Sequence, residues 1–120
     1  MGNGKYDNEY FIKQGFVPLK DYLYPNNWVC NFGASHTLEY AFSCYAAAQM
    51  AKAIGKTAAY DTLMQYSYAY KNLFDPETKY MRPREMDGSF MKDFEPLKGW
   101  KGFQEGNAAQ YTWYVPHDIE

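Results

Sequence analysis

Apolar residues recur with helical spacing over two stretches of the chain. Between Ser35 and Ile54, Leu38, Phe42, Ala46, Met50 and Ala53 form one stripe, and Ala41, Tyr45 and Ala48 lie beside it. Ala47 and Ala51 carry apolar surface further round, so this helix is expected to be buried on most faces. Ser35 is placed to cap it and Gly55 to stop it. A second helix is predicted from Ala58 to Leu73 with Thr57 as its N-cap. Its apolar stripe is Ala59, Leu63, Tyr66, Tyr70 and Leu73, and Asp61, Gln65, Lys71 and Asn72 mark a wetter side. Gly55 and Lys56 leave room only for a tight turn, so the two helices should pack antiparallel.

The flanking segments have weaker patterns. Residues 1–33 read as an irregular lead-in, punctuated by Gly15, Pro18, Pro25, Asn26, Asn27 and Gly33, with short extended pieces at Tyr10–Ile12 and Gly15–Pro18. After the helix pair (34–74), residues 75–103 read as hairpin and loop. Asp75-Pro76-Glu77-Thr78 is turn chemistry, and Met86-Asp87-Gly88 between Tyr80–Arg84 and Ser89–Met91 is a hairpin signal. Pro83 confines the first of these runs to an edge. A loop from Phe94 to Gly102 leads to a last helix, Glu105–Tyr114, stopped by Pro116 within a site-bearing segment 104–120. The fold class is therefore mainly α: an antiparallel helix pair, a short β-hairpin and a C-terminal helix. An inner apolar helix followed by an outer amphipathic one is the repeating unit of an α/α toroid. One unit cannot close a ring, and its inner helix would leave apolar sides exposed. Self-association is one way to shield them, and Tyr-rich collapse is another.

Composition narrows the function. With 120 residues the chain is about one small domain. A net charge of −2 argues against a nucleic-acid surface, which needs a Lys/Arg excess. No unbroken apolar run reaches the ~18 residues that would cross a membrane. Cys30 and Cys44 are too few for a disulfide scaffold; they read as free thiols, Cys44 as a small hydrophobe within a helix, with one disulfide between them as the alternative. Met1–Asp7 is polar and contains no signal-peptide apolar core. Aromatics are the outlier: 13 Tyr, 8 Phe and 3 Trp make 20% of the chain. Each Tyr ring buries like Phe but carries a hydroxyl that needs a partner. So many suggest either helix packing with a half-wet interior or a surface for polar rings such as sugars.

Three blocks carry a family resemblance. The first is Thr37-Leu38-Glu39-Tyr40-Ala41-Phe42 with Ala48-Gln49-Met50-Ala51-Lys52-Ala53-Ile54-Gly55-Lys56. The second is Tyr70-Lys71-Asn72-Leu73-Phe74-Asp75-Pro76-Glu77-Thr78 with Met81-Arg82-Pro83-Arg84 and Asp87-Gly88-Ser89-Phe90. The third, the most distinctive, is Glu105-Gly106-Asn107-Ala108 followed by Gln110-Tyr111-Thr112-Trp113-Tyr114-Val115-Pro116-His117-Asp118. In order and spacing they resemble glycoside hydrolase family 92, the calcium-dependent exo-acting α-mannosidases, over about residues 15–120. The resemblance implies a longer parent with a β-sandwich and an (α/α)6 barrel, of which this chain would be one part. It implies an inverting α-mannosidase with calcium as cofactor, an α-mannoside glycan as substrate and the rest of the barrel as partner. A periplasmic or secreted location follows if the source is bacterial. Ser43-Cys44-Tyr45, Ala109 and Pro83 depart from the family's usual residues.

Inversion needs two carboxyl groups, one to protonate the leaving oxygen and one to activate water. The resemblance makes Glu105 the general acid and Asn107 a calcium ligand, and puts the general base beyond Glu120, so the isolated chain is expected to be inactive. From residue type alone, Glu105 reads first as a helix N-terminal carboxylate, and the resemblance reverses that order. Glu39, Arg82, Arg84 and Gln110 are candidates for sugar binding. Glu39 is otherwise a solvated first-turn carboxylate, Gln110 and Asn107 are otherwise turn and surface residues, and paired arginines also suit an exposed hairpin edge. His117-Asp118 lacks a third ligand or nucleophile, and His36 reads as a loop histidine. Two rivals remain at this level: a non-catalytic helical glycan-binding or assembly module, and a barrel relative acting on another α-glycoside.

Overall fold

The computed structural model describes residues 2–19, 32–92, 94–97, 102–103 and 106–118. Chain order gives α1 (Gly2–Gln14), α2 (Gly33–Ala53), α3 (Thr57–Ser67), a 3-10 turn (Ala69–Asn72), β1 (Phe74–Asp75), β2 (Tyr80–Met81) and α4 (Ala108–Tyr111).

α1 stands where the first part of the irregular lead-in was expected, including the extended piece at Tyr10–Ile12, while Pro25, Asn26 and Asn27 of that lead-in lie outside the described residues. Glu9 and Lys13, one turn apart, form an exposed ion pair at 3.1 Å. Phe11 is buried against the rings of Tyr40 and Tyr66, with centroids 5.4 and 5.9 Å away. The helix ends at Gly15, whose φ of +81° a side chain would oppose and whose N–H bonds the Phe11 carbonyl at 2.9 Å. Segment 16–19 is buried beside the start of α2. The Thr37 hydroxyl accepts from the Val17 N–H at 2.8 Å while donating to the Gly33 carbonyl at 2.7 Å, so no polar group is stranded there.

α2 starts two residues before the expected cap. Ser35 lies inside its first turn: its N–H is satisfied by the Gly102 carbonyl at 3.0 Å, and its hydroxyl bonds the Phe32 carbonyl at 3.1 Å. His36 is on this helix rather than in a loop. The C-terminus ends through Gly55. Its N–H bonds the Lys52 carbonyl at 3.1 Å, and the next N–H, of Lys56, bonds the Ala51 carbonyl at 2.9 Å. α3 folds back antiparallel: Lys52 sits over the Tyr60 ring, Gln49 reaches Met64, and Tyr40 and Tyr66 pack on Phe11.

The buried line on α2 is Ala34, Leu38, Ala41, Ala48 and Ala51. Burying a side chain such as Leu38, 1% exposed, contributes about 1.5–3 kcal/mol. Ala46, Met50 and Ala53, expected in the stripe, are exposed, because α3 and segment 16–19 cover only one side. α3 stops at Ser67, short of Leu73. The Ser67 hydroxyl bonds the Met64 carbonyl at 2.6 Å and the chain tightens into the 3-10 turn. Its predicted wet residues, Asp61, Gln65, Lys71 and Asn72, are all exposed.

β1 and β2 pair antiparallel, Phe74 opposite Met81 and Asp75 opposite Tyr80, around the Asp75–Thr78 turn. The hairpin expected at Asp87-Gly88 is a single bridge, Arg84 with Phe90, supported by Glu85 N–H to the Ser89 carbonyl at 2.8 Å. The predicted Glu105–Tyr114 helix is one turn, α4. The main core joins Leu38, Leu73, Met81, Phe103, Ala108 and Val115, and half-buried Tyr70, Tyr80, Tyr111 and Tyr114 pack against it. Many of the tyrosines thus fill space between elements. No described helix is long and apolar enough to cross a membrane.

Candidate functional site

The C-terminal segment 106–118 carries most of the candidate chemistry. Glu105 lies outside the described residues, as do Cys30 and Trp100. Of its neighbours, Phe103 is buried and its ring lies 5.4 Å from that of Tyr111. Gly106 packs so closely that a Cβ would stand 2.9 Å from the Tyr111 ring and 3.0 Å from Gln110 Oε1.

Asn107 and Gln110 are brought together as a capping box. The Asn107 Oδ1 accepts from the Gln110 N–H at 3.0 Å, and the Gln110 Oε1 accepts from the Asn107 N–H at 3.1 Å. Asn107 also donates through Nδ2 to the Leu97 carbonyl at 3.3 Å. This cap explains why the helix begins at Ala108. It also fixes the direction of the amide oxygen that the resemblance offers to calcium. Calcium takes six to eight oxygens. Among the described residues no group of three or more His, Cys, Asp and Glu side chains stands close enough to hold a metal ion. Asn107 alone offers one side-chain oxygen of the six to eight that calcium takes.

Glu39, exposed on α2, lies near the Tyr114 hydroxyl. Burial, then the Glu39 carboxylate, and lastly the neighbouring Tyr111, push the Tyr114 phenol pKa up. Phe42 and Tyr45, three and six residues further along α2, place their rings 6.0 and 5.3 Å from His117. One face of α2 is therefore lined by the segment that follows α4.

The two arginines are not turned to open solvent. Arg82 pairs with Asp75 at 3.1 Å, with 20% and 6% of their side chains exposed, and donates through Nε to the Met91 carbonyl at 2.8 Å. Arg84 donates to the carbonyls of Asn72 and Gly88 and lies 4.1 Å over the Phe90 ring. Both guanidiniums hold the chain's own acceptors rather than standing free at a solvent-facing edge.

The sequence pattern did not single out Tyr70 or the role of His117. Tyr70 donates to the Asp118 carboxylate, and His117 Nε2 lies 2.8 Å from the Ser67 carbonyl. A carbonyl only accepts, so Nε2 donates, and Nδ1 is buried without a partner among the described residues. The dipeptide is a clip that ties the end of the segment to the end of α3. Only the third block of the motif, which contains it, was a signal. Cys44 is a half-buried free thiol whose pKa burial raises.

Comparison with known proteins gives the frame for these residues. The glycosyl hydrolase family 92 catalytic domain matches residues 2–120. The chain belongs to this family. The match takes in α1, ahead of the residues that carried the resemblance. A family GH92 α-mannosidase from Bacteroides thetaiotaomicron is similar in structure, with TM-score 0.78, 40% identity and coverage of 92% of this chain. The structure of that α-mannosidase with mannoimidazole gives 0.79, 38% and 92%. A family GH92 inverting mannosidase from Bacteroides thetaiotaomicron VPI-5482 gives 0.82, 31% and 93%. No curated protein gives a match. The chain spans 14% of the length of each of these mannosidases. Its helix pair is thus a part of a family 92 catalytic domain, with the mainly α, α/α-toroid character read from the sequence.

Proposed function

We propose that this chain is the part of an inverting α-mannosidase, acting on terminal α-mannosyl linkages of glycans, that carries the general acid and a portion of the calcium and sugar pocket. The family membership of residues 2–120 carries this reading. It is supported by neighbours described as an α-mannosidase and an inverting mannosidase.

In this reading Glu105 holds a proton until the glycosidic oxygen gains charge, then gives it to the departing sugar. The second carboxyl of an inverting pair stands about 6.5–9.5 Å away to leave room for water. It comes from beyond Glu120, so the isolated chain lacks a general base and is inactive. Asn107 Oδ1 would be one of the oxygens that hold a calcium ion, which would supply a positive charge that orients sugar hydroxyls. Gln110 holds that amide in place through the capping box and, with Glu39, borders the pocket. Arg82 and Arg84 serve as positioning residues for the hairpin. The rest of the barrel is the obligate partner, and a bacterial source would make the enzyme periplasmic or secreted.

The test is Glu105→Gln in the full-length protein. Loss of a general acid lowers turnover by about 10²–10⁴-fold on an alkyl α-mannoside. A dinitrophenyl α-mannoside, whose leaving group needs little protonation, should lose far less. Equal turnover of the alkyl substrate by variant and wild type overturns the assignment.

A further inference from the structure

Glu105 stands two positions after Phe103 and is joined directly to Gly106, and the chain is held at both of these neighbours. Upstream, the Gly102 carbonyl accepts from the Ser35 N–H at 3.0 Å in the first turn of α2, and Phe103 is 1% exposed. A Cβ on Gly102 would stand 2.3 Å from Pro83 Cγ, so the chain here lies against the proline ring. Downstream, Asn107 is tied into the capping box through its own N–H and its side chain. Only Gly106 separates that box from Glu105.

Gly106 serves a close approach rather than a backbone angle, since its φ is not among the positive ones. A Cβ there would stand 2.9 Å from Tyr111 Cε2, 3.2 Å from its Cδ2 and 3.0 Å from Gln110 Oε1. The Gly106 backbone therefore rests on one edge of the Tyr111 ring. That ring has little room to retreat. Phe103 lies 5.4 Å from it at 35°, and Tyr114 6.1 Å at 65°. One ring thus meets the chain both before and after Glu105. These contacts all lie within the chain, so neighbours that cover its outer faces leave them in place. A general acid has to come within about 2.6–3.2 Å of the oxygen it protonates. Misplacement by about 1 Å can cost about 10²-fold in rate, even from a change away from the chemistry.

We propose that Tyr111 is a positioning residue for the general acid, given Glu105 as that acid: its ring, packed on Phe103 and Gly106, sets the course of the chain that carries Glu105. Tyr111 itself need not touch the sugar. The test uses the full-length protein and two substrates, an alkyl α-mannoside that needs the acid and a dinitrophenyl α-mannoside that needs it little. Tyr111→Ala should lower kcat on the alkyl substrate by about 10²-fold and on the dinitrophenyl one by no more than about threefold. Tyr111→Phe keeps the ring carbons that meet Gly106 and should recover most of the loss. In a Glu105→Gln background Tyr111→Ala should cost little more on the alkyl substrate, since the group it aims is gone. A merely structural tyrosine would instead lower both substrates alike and add its cost in that background. Should Tyr111→Ala fail to fold, Gly106→Ala presses on the same contact from the other side and should show the same split between substrates. Equal losses on the two substrates, unchanged alkyl turnover, or an added cost in the Glu105→Gln background each overturn the positioning role. If Glu105→Gln shows the split and neither Tyr111→Ala nor Gly106→Ala does, the general acid stands and the positioning role falls. If Glu105→Gln shows no split, the general acid falls and the positioning role with it.

Discussion

Tyr70 donates its phenolic proton to the carboxylate of Asp118, joining the 3-10 turn after α3 to a residue 48 positions later. The phenol pKa is pushed up to about 12, first by burial, then by the hydrogen bond and charge of Asp118, and by neighbouring Tyr68. A pKa raised above its unfolded value of about 10 stabilises the fold fully below pH 10. That contribution fades as pH rises from 10 through 12. Spectrophotometric titration should show a phenol ionising about two pH units late, and Tyr70→Phe should remove that step. A variant titrating like wild type would refute the pairing.

This contact also marks the boundary of what the sequence could reveal. The helix pair was legible because Leu38 and Ala41 on α2, and Ala59, Leu63 and Tyr66 on α3, repeat at helical spacing, and because Gly55 supplies a left-handed stop. α1 was not, since Phe11 is its one buried ring among the side chains described there, and one ring makes no stripe. α4 was overestimated because helical spacing does not reveal a capping box that starts the helix at Ala108. For Arg82 and Arg84, residue type alone does not say which way a guanidinium turns. Their acceptors, Asp75 and the carbonyls of Met91, Asn72 and Gly88, come together only when the two turns fold. Glu105 and Asn107 were named through a motif, not through periodicity.

Asp75 tests the hairpin. Its carboxylate accepts from the Glu77 N–H at 3.0 Å, the Thr78 hydroxyl at 2.9 Å and Arg82 at 3.1 Å. Desolvation works to raise its pKa, but these hydrogen bonds and the Arg82 charge outweigh it and hold the value below the usual carboxylate range. A depressed pKa stabilises the fold above the unfolded value, and this is lost as pH falls below about 4. Asp75→Asn leaves Arg82 without its counter-charge. It should lower the thermal midpoint at pH 7 by several degrees. The midpoints of variant and wild type should converge toward pH 3. A constant gap across that range would show that the ion pair is not the source.

Gly55 and Gly33 should fail for different reasons when changed to Ala. Gly55 sits at φ +78° with nothing within 4 Å of the place a Cβ would take, so its cost is backbone strain alone, about 1–2 kcal/mol. Gly55→Asn, which tolerates that conformation better, should cost less. At Gly33 φ is unremarkable, but a Cβ would stand 2.4 Å from the Val17 carbonyl oxygen and 2.9 Å from that of Pro18. Backbone cannot give way as a side chain does, so Gly33→Ala should be the more damaging and should also loosen segment 16–19. Chemical denaturation ranks the three variants, and hydrogen exchange at Val17 reports the loosening. Equal costs for the two alanine variants would contradict the close approach at α2.

The uncovered side of α2 gives a prediction whose direction depends on context. Met50 and Ile54 are 70% and 64% exposed, next to exposed Ala46, Ala47 and Ala53. In the 120-residue chain, replacing both large side chains removes no packing. Met50→Gln with Ile54→Lys should therefore change folding stability by no more than about 0.5 kcal/mol. If this face shields itself by self-association, the same pair should shift sedimentation toward the monomer. In the full-length protein, neighbouring barrel helices covering the face would make the pair costly. Each large apolar side chain then forfeits about 1.5–3 kcal/mol of burial, and a lysine is placed against apolar surface. Thermal unfolding of the pair in both contexts separates the cases. A neutral outcome in both, with no change in sedimentation, would mean that the apolar stripe of α2 has no partner and that its pattern reflects helix propensity alone.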